Sequence, residues 1–255
     1  MLTVFHSIIL GIVEGVTEFL PISSTAHLTL AAGFLKIEQT EFMKSFEIII
    51  QLGAILAVVT QYFKRFFDKQ IIAKLIVAFI PTGIIGLTLY PLVKGILLGN
   101  TAVALWALGI GGVALIVLEK FVFSKQTSQE RDVKDISYKQ CLALGLFQAI
   151  AIIPGVSRSA ATIVGGLLMK IPRKTIVEFS FLLAVPTMAA ATGLDLLKNA
   201  SSFNVSQFGS LAIGFIVSFV TALLSIRWLL RYVARHDFTV FGIYRLAHVA
   251  VILFL

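Results

Sequence analysis

Along its 255 residues the chain alternates long apolar runs with short polar connections. Six runs, about 43–63, 72–93, 101–119, 176–197, 207–227 and 238–255, approach the roughly 20 residues that cross a bilayer as helix. Two more, 3–35 and 139–169, are apolar but broken at their middle by proline and a hydroxyl cluster, LPISSTA in one and IPGVSRSA in the other. Each is too long for one span, and a central break cannot face lipid with its backbone groups unsatisfied. Two complete crossings joined by a loop, or a re-entrant helix–turn–helix that enters and leaves on one side, both meet that requirement. The halves are only about 16 residues each, short for full spans, which favours re-entrant pairs. The pattern predicts an all-α polytopic membrane protein with six transmembrane helices and two re-entrant helix pairs. The strand alternation of an outer-membrane barrel is absent.

Composition agrees. The chain is 58% hydrophobic and 13% charged, about half the charged share of a water-soluble domain, with a mean hydropathy of +0.97. The net charge of +8 sits in short loops between apolar runs, so topology explains it and nucleic acid is not an expected partner. One cysteine, Cys141, excludes an internal disulfide framework. No Lys or Arg precedes Lys36 and Glu14 interrupts the first apolar run, so the N-terminus does not read as a cleavable signal. With re-entrant pairs, the loops at 64–74, 120–139, 170–174 and 227–235 share one side and hold 15 Lys or Arg residues. The opposite side holds Lys36, Lys44, Lys94 and Lys198. That bias places the rich side in the cytoplasm and both termini outside. Two double crossings would leave the loops on the same sides, so the charges orient the chain without deciding re-entrance. Arg158 and Arg245 lie inside apolar segments.

The chain also repeats itself. A shift of 134 residues lays GIVEGVTEFLPISSTAH (11–27) on GLFQAIAIIPGVSRSAA (145–161), pairing Gly11 with Gly145, Glu14 with Gln148, Ser23 with Ser157, Thr25 with Ser159 and Ala26 with Ala160. Further on, Thr101 matches Thr239 and Trp106 matches Tyr244. Each half is a broken segment followed by three crossings, and an odd number inverts the second half. The expectation is one integral membrane domain, 1–255, of two inverted repeats, about 1–120 and 135–255, with the breaks meeting near the midplane. Helix N-termini near Ser24 and Ser157 would then face each other, a setting that binds anions.

The polar residues concentrate there. Glu14 and Glu18, four apart, share a helix face, while their matched positions are Gln148 and Ile152, so the acidity belongs to one half. Ser23, Ser24 and Thr25 exceed what one helix cap requires. His27 follows Ser24 by three residues, and a hydroxyl beside an imidazole is a nucleophile design. Arg158 offers a bidentate cation to an anion, and Ser157, Ser159 and Thr162 add donors around it. Glu47 and Gln51, four apart, either line the same cavity or bond between helices. Arg245, His248, Glu178 and Asp195 read as structural pairs or interface anchors, and His6 lies too near the surface to be given a role. No Walker loop, HExxH zinc site or GxSxG elbow occurs.

EGVTEFLPISSTAH together with PGVSRSAATI resembles the two signature regions of the BacA/UppP family, the undecaprenyl-diphosphate phosphatases tied to bacitracin resistance. FEIIIQLGAILAV and EFSFLLAVPTMAAAT also look like family segments, so the resemblance covers essentially the whole chain. Two positions depart from it: Ala160 stands where the family usually has Gly, and Val156 where Thr is common. Ala160 removes no catalytic group, whereas at Val156 one possible hydroxyl donor is missing. The resemblance implies a multi-pass phosphatase of the bacterial inner membrane that hydrolyses undecaprenyl diphosphate to the monophosphate carrier of cell-wall synthesis, in a pocket reached from the outer leaflet. It implies a divalent cation, Mg²⁺ or Ca²⁺, which Glu14 and Glu18 would hold. Ser24 would attack in line with His27 taking its proton, Glu18 and Arg158 completing the catalytic set. Ser23, Thr25, Ser157, Ser159, Thr162 and Gln51 would contact the substrate. Direct attack by water stays open, as does pairing with a second copy of the chain. The expected partners are a polyprenyl diphosphate lipid and the bilayer. A secondary transporter or flippase for a lipid phosphate is the alternative, with Glu14 and Glu18 coupling protons or Na⁺.

Overall fold

Thr3 starts the first helix. Its hydroxyl accepts from the His6 N–H while its own N–H donates to His6 Nδ1, a reciprocal cap that gives His6 a structural role. Helix α1 (Val4–Thr17) runs to the break before Pro21, and α2 (Ser24–Phe34) follows it. The second broken segment is built alike. Ser137 and Gln140 cap α6 (Tyr138–Ala149), a short tight turn covers Ile150–Ile152, and α7 (Arg158–Leu168) follows the break. The computed structural model describes residues 2–38, 40–92, 101–123, 131–199 and 208–254. Lys94 and part of the 120–139 loop lie outside the described residues, as do the side chains of Lys44, Asp195 and Lys198.

Both broken segments bend at the same places. Among the described residues, the non-glycine positions with left-handed backbone are Ser23 (φ 71°), Lys36 (φ 54°), Ser157 (φ 74°) and Lys170 (φ 59°). Ser157 stands 134 residues after Ser23, and Lys170 134 after Lys36. Left-handed backbone is sterically costly for residues with a Cβ, so the surrounding packing must impose it.

The remaining elements are α3 (Glu41–Gln61), α4 (Lys69–Leu92), α5 (Thr101–Leu118), α8 (Arg173–Asn199), α9 (Phe208–Val233) and α10 (Thr239–Leu253). Four helices, α4, α5 with its extension to Phe123, α8 and α9, are long and apolar enough to cross a membrane. The apolar stretches of α3 and α10, Ser45–Gln61 and Thr239–Leu253, are shorter. Large apolar side chains stand on the outside. On α5, Trp106, Ile110, Val113 and Val117 form an exposed stripe, with Trp106 72% exposed. Spacings of three and four put them on one face, and such a stripe suits lipid rather than water.

Helix α9 lies against α1 and α3, α4 lies against α6 and α8, and α5 pairs with α10. Close approach needs glycine at matched positions. A Cβ on Gly145 would collide with the Ala78 carbonyl of α4, and one on Gly11 would meet the Gly214 carbonyl of α9. Threonines bridge the same joints: Thr82 donates to the Gly145 carbonyl at 2.8 Å, and Thr221 to that of Gly11 at 3.3 Å.

The Lys- and Arg-rich loops gather at one end of the bundle. Arg65 pairs with Asp132 and Glu178, and Lys134 with Asp68. Lys74 donates to the Lys134 carbonyl. Arg173 pairs with buried Glu119, which also accepts the Phe238 N–H. Glu178 is thus the structural ion-pair partner expected of it.

Candidate active site at the two helix breaks

The first break delivers Glu18 and Ser24, and the second delivers Arg158. Ser24 is the first residue of α2, and helical side chains lean back toward the N-terminus. Its hydroxyl therefore meets Glu18, donating to Oε2 in a short hydrogen bond. The other carboxylate oxygen, Oε1, accepts from Arg158 Nη2 at 3.1 Å. Arg158 is also the first residue of its helix. Its Nη1 donates to the Ser180 carbonyl at 2.9 Å, and its guanidinium carbon lies 5.9 Å from the Phe19 ring centre. Its Nε is buried and has no partner among the described residues. Residues 140 positions apart thus form one chain, Ser24–Glu18–Arg158.

Glu14, one turn before Glu18, is fully buried, and neither carboxylate oxygen has a hydrogen-bond partner among the described residues. Its charged neighbours are Glu18, Glu47 and Arg158. Burying a carboxylate without donors is costly, so this oxygen pair asks for a cation, a donor or a proton. Among the described residues no three His, Cys, Asp or Glu side chains converge into a complete metal site. The oxygen donors of Glu14 and Glu18 fit a hard cation such as Mg²⁺ or Ca²⁺.

His27 is placed differently from expectation. Its Nδ1 lies 2.8 Å from the Ser23 carbonyl and its Nε2 2.8 Å from the Tyr244 hydroxyl. With both nitrogens engaged, its ring does not reach the Ser24 hydroxyl, and the carboxylate of Glu18 takes the place expected of the imidazole. His248 packs against it at a tilt of 46°, with 4.1 Å between ring centres.

The other hydroxyls sort by partner. Ser23 and Thr25 contact each other at 3.3 Å, and their matched pair Ser157 and Ser159 do so at 3.1 Å. Ser157 caps α7 by accepting from Ala160 N–H at 3.3 Å. Ser159 donates to the Leu20 carbonyl and joins the two breaks, while Thr162 bonds back to the Arg158 carbonyl within its helix. Those contacts are architectural. Gln51 is half-buried on α3, and the site contacts among the described residues do not include it.

A family model described as "Bacitracin resistance protein BacA" matches residues 7–251. The chain belongs to the BacA family. Relatives named undecaprenyl-diphosphatase are similar over nearly their whole length. The one from Aquifex aeolicus is 50% identical, covering 96% of this chain and 95% of its own. The Sulfurihydrogenibium relative is 49% identical over 96% of each chain, and that from Thermus thermophilus 45% identical over 98% and 96%.

Within this BacA-family chain, three residues of α10 belong to the site and were not assigned to it from sequence. Tyr244 holds His27, and His248 packs on it. Arg245, 1% exposed, donates to five backbone carbonyls: Pro21 at the first break, Gly155 and Val156 at the second, and Ala107 and Leu108 on α5. Its presence inside an apolar run was the available signal. The match of Trp106 with Tyr244 was the other.

Proposed function

We propose that the chain hydrolyses undecaprenyl diphosphate to undecaprenyl phosphate and inorganic phosphate, as a multi-pass protein of the bacterial inner membrane. The observation that carries this reading is the Ser24–Glu18–Arg158 chain, which sets a hydroxyl, a proton acceptor and a phosphate-binding cation side by side. Arg158 would grip the terminal phosphate through its planar fork and neutralise charge growing on the transferring group. Ser24 Oγ would attack the terminal phosphorus as its proton passes to Glu18. The bond from that phosphorus to the bridging oxygen breaks, and the lipid monophosphate leaves. Glu18 returns that proton to the departing oxygen. Water then attacks the phosphorus on Ser24, Glu18 taking its proton and handing it to Ser24 Oγ as that bond breaks and phosphate leaves. His27 supports the turn that carries Ser24.

Glu14 and Glu18 would hold the divalent cation, Mg²⁺ or Ca²⁺, and the unpartnered oxygens of Glu14 are the reason. When bound, it would supply Lewis-acid stabilisation of phosphoryl charge. Ser23, Thr25 and Ser157 lie at the two break turns as donors for phosphate oxygens.

The same reading includes two inverted repeats, six crossings and two re-entrant pairs in one domain. Paired bends at Ser23 and Ser157 and at Lys36 and Lys170 support it, as do the matched joints at Gly11 and Gly145. The basic loops meeting at one end support a cytoplasmic face there, with both termini outside and substrate entering from the outer leaflet. A carrier needs no nucleophile in contact with a base, and none of the relatives described above bears a carrier's name.

Purified protein in detergent should release phosphate from undecaprenyl diphosphate without any gradient, and EDTA should stop it. Release that persists in both Glu18→Gln and Arg158→Ala overturns the site.

A further inference from the structure

We propose that Tyr244 is a positioning residue for this reaction, acting through His27 on the turn that aims Ser24. The inference rests on the hydrolase reading and extends it to α10. Ser23 precedes Ser24 with φ 71° and ψ 92°, and its side chain makes no capping bond to α2. A turn so placed needs support from outside its own helix. The His27 ring of α2 reaches back to the Ser23 carbonyl, 2.8 Å away through Nδ1, and α10 supplies the outside support by holding that ring through Tyr244.

A carbonyl only accepts, so Nδ1 carries the hydrogen. In the neutral ring Nε2 is then the acceptor, and the Tyr244 hydroxyl donates to it at 2.8 Å. The two rings are nearly parallel, 6° apart, with centres 5.4 Å apart. His248 packs on the same imidazole, and its own Nε2 is buried without a partner among the described residues. That leaves Tyr244 as the group that fixes tautomer and ring orientation together. The next residue, Arg245, donates to the Pro21 carbonyl on the other side of the same turn. Helix α10 therefore holds the first break at two points, one before Ser24 through Arg245 and one through the Tyr244–His27 pair. Without the hydroxyl, the imidazole can turn over or change tautomer. The Ser23 carbonyl then loses its closer donor and keeps only the His27 backbone N–H at 3.4 Å, and Ser24 loses its fixed approach to Glu18.

The test uses the full-length protein in detergent with ¹⁵N-labelled histidine, the His27 signals being assigned by their loss in His27→Asn. The wild type should show Nδ1 protonated and Nε2 unprotonated. Tyr244→Phe should shift the Nε2 resonance and lower kcat about tenfold with KM nearly unchanged, as expected when a reacting group is misaligned rather than removed. Tyr244→Gln keeps an N–H donor, and should recover part of both effects; it also serves if the phenylalanine variant fails to fold. An unchanged His27 spectrum in folded Tyr244→Phe overturns the proposal, and so does a shifted spectrum with unchanged kcat. The spectrum needs no substrate. A wild type that shows the expected tautomer yet releases no phosphate overturns the hydrolase reading, and with it the purpose assigned to Tyr244, while the hydrogen bond stands.

Discussion

At the first break, Ser23 stands at φ 71° and gives α2 no side-chain cap, Glu14 is buried without donors among the described residues, and Glu18 meets Ser24 and Arg158. At the second, Ser157 stands at φ 74° and caps its own helix. Gln148, in the place matching Glu14, donates to Thr82 and Thr187 at 3.0 Å each. The backbones bend alike and the side chains part company. Gln148 places both amide hydrogens on threonines of the chain, while its Oε1 has no partner among the described residues. Glu14 has a donor at neither oxygen among the described residues, which marks it rather than Gln148 as the candidate for chemistry. The two buried arginines repeat the contrast. Arg245 spends its donors on five carbonyls, whereas Arg158 meets one carboxylate and one carbonyl and keeps Nε unpaired.

The largest effects should come from the chain that joins the breaks. Glu18→Gln and Arg158→Ala should each lower kcat for phosphate release by about 10³-fold, the scale of losing a charge stabiliser or a proton acceptor. The double variant should be little worse than either single one, because the two residues act as a unit. Multiplying losses would show two independent roles and break the comparison.

Next comes Glu14→Gln, which makes the first break resemble the second. Loss of the buried carboxylate should lower activity about 10²-fold. It should also weaken stimulation by Mg²⁺, read from the metal dependence of phosphate release. The reciprocal Gln148→Glu should leave metal dependence alone and lower thermal stability by about 1–3 kcal/mol, since a carboxylate cannot donate to both threonines. Equal effects on activity from both swaps would erase the asymmetry between the halves.

Both breaks, the hydroxyls beside them and the convergence of Glu18 and Arg158 on one site were legible in the sequence because each is chemically expensive inside an apolar run; their direct ion pair was not. Helix boundaries followed the same way, and α1, α2, α6 and α7 fall within the two segments expected to be broken. The partner of Ser24 was not legible. A spacing of three suggests that Ser24 and His27 meet, but Ser24 opens its helix and leans back to Glu18, while His27 turns to the Ser23 carbonyl. The work of Arg245 was hidden for a different reason: its partners are backbone carbonyls, which leave no mark on residue identity.

Arg245→Lys separates framework from chemistry. Lysine has three donors for five carbonyls, so at least two lose their partner at about 1–3 kcal/mol each. The variant should unfold at markedly lower temperature in detergent, while the protein that stays folded keeps most of its kcat. Arg158→Ala should show the reverse, a nearly unchanged melting temperature and almost no phosphate release. A stable but inactive Arg245→Lys would place that guanidinium in the reaction instead.

The smallest effect belongs to the ion-paired basic loops. Asp68 accepts from Lys134 Nζ at 2.5 Å, and from the Gln70 and Ile71 N–H groups at the start of α4. Chiefly through Lys134, these donors hold its carboxyl below the ordinary aspartate value. A depressed folded-state pKa gives stability that is present above the unfolded value, about 3.9, and lost as pH falls through the lower folded one. Asp68→Asn should therefore melt slightly below wild type at pH 6, by at most about two degrees for so exposed a pair, and the two curves should converge in acid. Phosphate release at neutral pH should not change. If Asp68→Asn instead altered kcat, the basic loops would be coupled to the breaks, and the division between a charged framework and a reactive centre would not hold.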